Sequence, residues 1–119
     1  MEMAAQRRRL EHDLGDAESS LALVRERIAI GQQESGGELS LRDQHPADAA
    51  TETESRELDL TQQRLIEARI GRIQDALRRM DDGAYGRCVV CGGPIPEERL
   101  EAIPDTAYCV SDANKEERK

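Results

Sequence analysis

The spacing of three cysteines constrains this chain more than any other feature. They fall within one stretch that runs from Tyr85 to Asp112. The order is Cys-x2-Cys, a gap of 17 residues, and then Cys-x2-Asp. Two such pairs, separated by roughly 15 to 20 residues, can supply four ligands to one tetrahedral metal ion. The sequence therefore predicts a four-point metal site, whose candidate ligands are Cys88, Cys91, Cys109 and Asp112.

The same cysteines admit a metal-free interpretation. Two cysteines separated by two residues can form a reversible disulfide, so Cys88 and Cys91 are also candidates for a redox-responsive thiol pair. A thioredoxin-like redox pair would require a βαβ pattern around the two cysteines, and this sequence has none. Zinc accepts a carboxylate oxygen beside three thiolates. We therefore expect zinc as the cofactor, with either Asp112 or a water as its fourth ligand. A metal-free finger with inert thiols and a thiol switch are the alternatives.

Two long helices are predicted before the cysteines. From residue 3 to about 34, apolar side chains recur at intervals of four and three residues, which is typical of a coiled-coil seam. Its members are Leu10, Leu14, Ala17, Leu21, Val24 and Ile28. From residue 46 to about 82, a second seam begins with intervals of four only, which predicts a shift in phase near its start. Its members are Leu58, Gln62, Ile66, Ile70, Ile73, Leu77 and Met80.

The segment between the two helices is rich in turn-forming residues. Residues 35–47 include two glycines and Pro46, which predicts a loop that leads into the first turn of the second helix. Such a loop lets the helices fold back as an antiparallel hairpin. Composition alone favours a solvated acidic bend. The more specific hypothesis is that Asp48 acts on a partner. Its carboxylate is predicted at the helix start, where the helix dipole favours a negative charge.

The predicted fold class is mainly α. It is a long antiparallel coiled-coil hairpin over residues 1–83, with its tip at about 36–48, followed by a small C-terminal zinc-finger-like module and a short terminal helix over 84–119. Aromatic residues are 2% of the chain and charged residues 35%, so a large compact core is excluded. Within the module, Pro96 and the acids after it predict a short helix, and Thr106–Tyr108 is predicted as a bridging strand.

Composition and motifs also narrow the function. The net charge of −8 repels a phosphate backbone, so sequence-specific DNA is not an expected partner. No apolar run approaches the ~20 residues that span a bilayer, and the N-terminus lacks the apolar core of a signal peptide, so we expect a cytoplasmic protein without a membrane partner. No phosphate loop or nucleophile–base pair occurs, and His12 and His45 are distant from the cysteines in sequence. The chain is therefore predicted not to be an enzyme.

The cysteine stretch resembles the C4 zinc finger of the DksA/TraR family of transcription factors. The likeness rests on the string Tyr85-Gly86-x-Cys88-x-x-Cys91-Gly92, followed by Ile95-Pro96, Arg99-Leu100-Glu101-Ala102, Pro104 and Cys109. The paired helices, and the tip His45-Pro46-Ala47-Asp48-Ala49-Ala50-Thr51, extend the resemblance over nearly the whole chain. The spacing and order of the three cysteines and the preceding hairpin agree with the family, which makes the resemblance specific. The sequence departs from the family at Asp112, which stands in the position of the fourth cysteine.

This resemblance implies a regulator that binds RNA polymerase directly. Family members insert the hairpin through the polymerase secondary channel and place the acidic tip near the active centre, often together with the alarmone ppGpp. The family tip pattern is Asp-x-x-Asp-x-Ala, so only Asp48 and Ala50 carry over. His45 occupies the first aspartate position, and Asp43 is a poorly spaced substitute for it. Ile103 stands where an arginine often precedes the proline, which weakens the case for a response to ppGpp.

Overall fold

The computed structural model describes residues 2–35 and 46–117 of the chain. The helices are α1 (Met3–Ser35), α2 (Pro46–Asp81), α3 (Glu97–Ala102) and α4 (Val110–Glu117). The predicted fold class is confirmed, because the described chain is mainly helical and its two long helices end within the margin by which helix ends are ordinarily defined. None of these helices is long and apolar enough to cross a membrane. Two candidate tip residues, Asp43 and His45, lie outside the described residues.

Contacts divide the chain into two compact units, one of residues 1–16 with 69–119 and the other of residues 17–68. In the second unit the buried side chains of α1 are Ala17, Leu21 and Val24. Two ion pairs cross between the helices there, Arg25–Glu67 at 3.4 Å and Arg27–Asp59 at 3.3 Å. The later residue of α1 pairs with the earlier residue of α2, so the two helices are antiparallel. The domain boundary placed between residues 83 and 84 remains a prediction.

The predicted phase shift in α2 is wrong. The Leu58 side chain is 65% exposed and Gln62 is also exposed, whereas Asp59 and Gln63 are half-buried. Gln63 lies three residues before Ile66, and Asp59 lies four residues before Gln63. The regular heptad therefore continues without a shift. Positions 59, 63, 66, 70 and 73 are all at least half-buried at intervals of four and three residues, so two polar side chains continue the seam here. The half-buried Asp59 is compensated by its ion pair with an arginine of α1.

One hydrophobic core joins the long helices to the cysteine module within the first unit. Its buried members are Leu10, Ile73, Ala76, Met80, Tyr85, Cys88, Ile95 and Leu100. Leu100 is the buried residue of α3, so this short helix is held by one apolar face. Thr106–Tyr108 is not a strand, and the isolated β-bridge recorded among the described residues joins Arg87 to Pro94 instead. The module is therefore a small loop-rich unit built directly on the helix pair.

Candidate metal centre

The first cysteine pair lies on a tight turn. The backbone N–H of Gly92 donates to the Cys88 carbonyl at 2.9 Å, and the N–H of Cys88 donates to the Gly93 carbonyl at 2.8 Å. Gly92 has φ 74°, a left-handed conformation that side chains other than glycine rarely adopt. A Cβ at Gly93 would lie 3.4 Å from the Cys91 sulfur, which is closer than most such contacts. These two glycines let the chain turn so that both sulfurs point to one side.

The second pair is positioned by the start of α4. Cys109 directly precedes this helix, and its carbonyl accepts the Ala113 N–H at 2.9 Å. Asp112 lies in the first turn of α4, where a carboxylate is stabilised by the helix dipole. Its side chain is buried and points at the cysteine sulfurs. Asp112 is thus both a helix-start carboxylate and a member of the cluster.

The four candidate ligand atoms converge on one point. All of them lie within 4.8 Å of one another. The Asp112 Oδ2 atom accepts hydrogen bonds from the thiols of Cys88 at 3.0 Å and Cys109 at 3.1 Å. The sulfurs of Cys91 and Cys109 are 3.9 Å apart. Because zinc–sulfur bonds are about 2.3 Å long, two sulfurs of a tetrahedral site lie about 3.8 Å apart. The donor set and its spacing therefore fit a tetrahedral zinc ion after a small outward shift of the carboxylate.

Hydrogen bonds within the cluster shift its acidities. Those donated by the thiols, first of Cys88 and then of Cys109, lower the pKa of the Asp112 carboxyl to about 2. The Gly93 N–H lowers the pKa of the Cys91 thiol, but the effects of Asp112 and Cys88 outweigh it and raise that pKa to about 11. Burial raises the pKa of the Cys88 thiol, yet backbone N–H groups together bring it below its usual value. Without metal, the Asp112 carboxylate is thus held by thiol protons, which a bound metal would displace.

A buried polar network next to the cluster was not predicted from the sequence. The Gln6 side chain, 7% exposed, donates to the Leu100 carbonyl at 2.9 Å and to the Tyr85 hydroxyl at 3.2 Å. Tyr85 in turn donates to the Pro104 carbonyl at 2.9 Å. The sequence did hold one signal, because Gln6 lies four residues before Leu10 and so continues the α1 seam with a polar side chain. This network attaches the start of α1 to the segment around α3.

The structure brings together some of the predicted site residues. The cluster of four contains all three cysteines and Asp112, and no histidine. His12 lies on α1, where its Nε2 atom is 3.2 Å from the Asp16 carboxylate. Asp48 and Ala50 lie in the first turns of α2, and their side chains are outside the described part of the chain. The role of the tip residues therefore remains a prediction.

Comparison with known proteins identifies the class of this fold and site. Residues 83–118 match the prokaryotic dksA/traR C4-type zinc finger. The RNA polymerase-binding transcription factor DksA of Caulobacter vibrioides is 35% identical over 102 residues, which cover 86% of this chain and 68% of that protein. The uncharacterized protein YteA of Bacillus subtilis is 44% identical over 71 residues, or 60% of this chain. The chain spans 30% of the length of YteA.

The solved structure of the transcription factor DksA2 from Pseudomonas aeruginosa has the same fold. It superposes with a TM-score of 0.75 at 22% sequence identity and covers 97% of this chain and 82% of that one. Two long helices with a small module of three cysteines and one aspartate are the architecture of a helical zinc-finger protein. The chain belongs to the DksA/TraR family, and zinc is the cofactor that its C4-type finger implies.

Proposed function

We propose that this protein is a transcription regulator that binds RNA polymerase directly and acts without catalysis of its own. The observation that carries the proposal is the joint match of helices and finger. The similarity to the DksA of Caulobacter vibrioides, a protein named for binding RNA polymerase, extends over 86% of the chain and so includes both parts. A match to the finger alone would have supported only a zinc-binding module. A cytoplasmic location follows from this proposal, because RNA polymerase is the partner.

The proposed route is the polymerase secondary channel, with the helix tip near the active centre. α1 and α2 contain 33 and 36 residues, so each is about 50 Å long and can reach a deep site. Asp48 is the third residue of α2, and a carboxylate there can perturb a catalytic Mg²⁺ or the polar groups around it. Ala50 completes the part of the family tip pattern that this chain retains. The bend thereby modulates initiation without any contact to specific DNA bases.

The metal site completes the proposal. One zinc ion is held by Cys88, Cys91, Cys109 and Asp112. It joins the turn that carries the first two ligands to the start of α4, which carries the other two. The distances among their ligand atoms support this assignment. Cys88 also belongs to the core that contains Leu10 and Ile73, so a fixed finger stabilises the base of the helix pair. Zinc is structural in this account, since all four of its positions are taken by protein ligands.

Two matched variants test the tip mechanism. Asp48→Asn removes a charge at the tip, and Asp82→Asn removes the same charge just beyond the other end of α2. We expect both variants to bind core RNA polymerase like wild type in a pull-down. Only Asp48→Asn should lose the effect on open-complex lifetime in a promoter assay. Equal activity of the two variants would overturn the tip mechanism, and loss of polymerase binding by the wild-type chain would overturn the partner.

A redox-responsive thiol protein is the second candidate. Its support is that the Cys88 and Cys91 sulfurs lie within 4.8 Å of each other and that Cys91 is exposed. The lowered pKa of the Cys88 thiol also favours a thiolate there, but Cys88 is buried. The exposed thiol, Cys91, has a raised pKa, which disfavours its thiolate. Metal content and free thiols, measured in anaerobic and oxidised samples, distinguish the two functions. One zinc per chain favours the zinc finger, whereas a metal-free protein with a reversible Cys88–Cys91 disulfide favours the thiol switch.

A further inference from the structure

The segment that carries Cys109 into the cluster has little regular structure. Residues 103–109 connect α3 to α4 and form neither helix nor strand. Pro104 and Thr106 are nevertheless buried, so the segment follows a defined path. Because no helix or strand ladder fixes this path, it depends on the hydrogen bonds that the individual carbonyl groups accept.

Two arginines from neighbouring helices bond to carbonyls of this segment. The Nε–H of Arg99, on α3, donates to the Tyr108 carbonyl at 2.9 Å. A guanidinium N–H of Arg79, on α2, donates to the Thr106 carbonyl at 3.3 Å. Both contacts are partly buried, and hydrogen bonds from a charged donor are about twice as strong as neutral ones. Tyr108 directly precedes Cys109, so the Arg99 contact lies one residue from a candidate ligand.

A third arginine holds the beginning of the same segment. The Arg72 Nε–H donates to the Asp105 carboxylate at 3.2 Å. Arg72, Arg79 and Arg99 together line a groove of about 300 Å³ along residues 105–108. Within this groove each guanidinium therefore directs at least one donor at the segment. These three arginines therefore stabilise the conformation of residues 105–108, which lead to Cys109.

We infer that Arg99, supported by Arg79, is a positioning residue for the metal site, an inference that rests on the zinc site proposed above. Cys109 is only half-buried, and its carbonyl and thiol bonds run forward into α4. On the other side of this cysteine, the Tyr108 carbonyl accepts from Arg99 at 2.9 Å and from the Thr106 hydroxyl at 3.2 Å, and the Val89 N–H donates to the Ala107 carbonyl at 2.9 Å. Arg99 supplies the charged donor among these contacts, and the shortest one to Tyr108. Loss of the Arg99 donor would let Cys109 move away from the other three ligand atoms, and zinc held by the four residues would then be released faster.

Two arginine-to-methionine variants test the inference. Arg99→Met removes the donor and keeps an unbranched side chain of similar length. Arg87→Met is the matched control, since Arg87 is exposed and directly precedes another candidate ligand, Cys88. Zinc transfer from each zinc-loaded chain to a chromogenic chelator gives the release rate. We expect release from Arg99→Met to be about tenfold faster than from wild type or Arg87→Met, the size of one lost charge-assisted hydrogen bond.

A second readout separates positioning from a general loss of stability. Alkylation of the zinc-loaded protein, mapped by mass spectrometry, should become faster at Cys109 relative to Cys91 in Arg99→Met only. Equal release rates in the two variants would overturn the inference, as would faster alkylation of all three cysteines alike. If wild type itself binds no zinc, the proposed metal site fails instead, so the two failures are distinguishable.

Discussion

The side-chain amide of Gln6 donates a 2.9 Å hydrogen bond to the carbonyl of Leu100, 94 residues later in the chain. The same amide contacts the hydroxyl of Tyr85 at 3.2 Å. A buried polar group that loses its partner costs more than the bond itself contributes. This contact therefore fixes where the beginning of α1 lies against α3, and with it the core below the cysteine cluster.

Replacement of Gln6 by leucine tests that fixation. Gln6→Leu removes the donor to the buried Leu100 carbonyl at nearly constant volume, so we expect a loss of about 1–3 kcal/mol in the free energy of unfolding. Gln74→Leu, at an exposed glutamine of α2, is the control and should change stability by less than about 0.5 kcal/mol. Urea unfolding of the zinc-loaded chains measures both. Equal stabilities for the two variants would show that the network contributes nothing.

The Tyr85 hydroxyl predicts a dependence of stability on alkaline pH. Desolvation by burial raises the pKa of Tyr85 above its ordinary value of 10.0. The folded state then holds the phenolic proton more tightly than the unfolded state does. The tighter hold on this proton stabilises the folded state relative to the unfolded state. The stabilisation is complete below about pH 10 and is lost as the pH rises through the pKa of Tyr85 in the folded state.

Ultraviolet absorbance gives the measurement for Tyr85. The chain has two tyrosines, so Tyr108→Phe leaves Tyr85 as the sole phenol. We expect its tyrosinate signal to develop above the ordinary pKa, and unfolding experiments to show a decline in stability over the same alkaline range. Tyr85→Phe should lack this component of the decline. A tyrosinate signal centred at or below the ordinary pKa would contradict the burial that the structure gives to Tyr85.

The heptad register of the helix pair gives a direct comparison of two residues on α2. Ile73 is 1% exposed and Leu58 is 65% exposed, although the sequence pattern predicts both in the seam. Ile73→Ala should cost about 2–5 kcal/mol, because it removes buried methyl groups and leaves a cavity. Leu58→Ala should change the free energy of unfolding by less than about 0.5 kcal/mol. Thermal or urea unfolding that gives similar losses for the two variants would restore the predicted phase shift.

Sequence periodicity was sufficient for the long helices but not for every residue of the seam. The apolar character of Leu58 predicts a position in the seam, whereas the helix phase set by Ile66 and Ile73 leaves it outside. A hydrophobic repeat indicates the inward-facing positions only where those positions are occupied by apolar side chains. At Asp59 an ion pair from the facing helix makes a half-buried carboxylate tolerable, and that partner is not visible in the local pattern.

The metal cluster could be predicted because its ligands lie in two short pairs of fixed spacing. The contacts that hold those pairs in place are long-range and could not. Gln6 and Tyr85 are 79 residues apart, and Arg79 and Thr106 are 27 apart. No local rule relates such residues, since their approach depends on how the helices pack against the module.

The aspartate in the fourth position gives a prediction about the metal itself. Asp112→Ala removes one of four candidate ligands and should weaken zinc binding by more than the roughly 10- to 100-fold that loss of a supporting contact costs. Asp82→Ala, at an exposed residue just after α2, should leave the affinity unchanged. Competition with a chelator of known affinity measures both. Unchanged affinity in Asp112→Ala would mean that the three cysteines bind the metal without this carboxylate.

We propose that the helix tip approaches the active centre of RNA polymerase while the finger holds the other end of the helix pair. A photoreactive amino acid placed at position 48, and in a separate chain at position 82, tests it in complexes with core polymerase. The account predicts that position 48 crosslinks to polymerase segments that line the active centre and that position 82 does not. Crosslinks to those segments from position 82, or none from position 48 in a chain that binds polymerase, would contradict it.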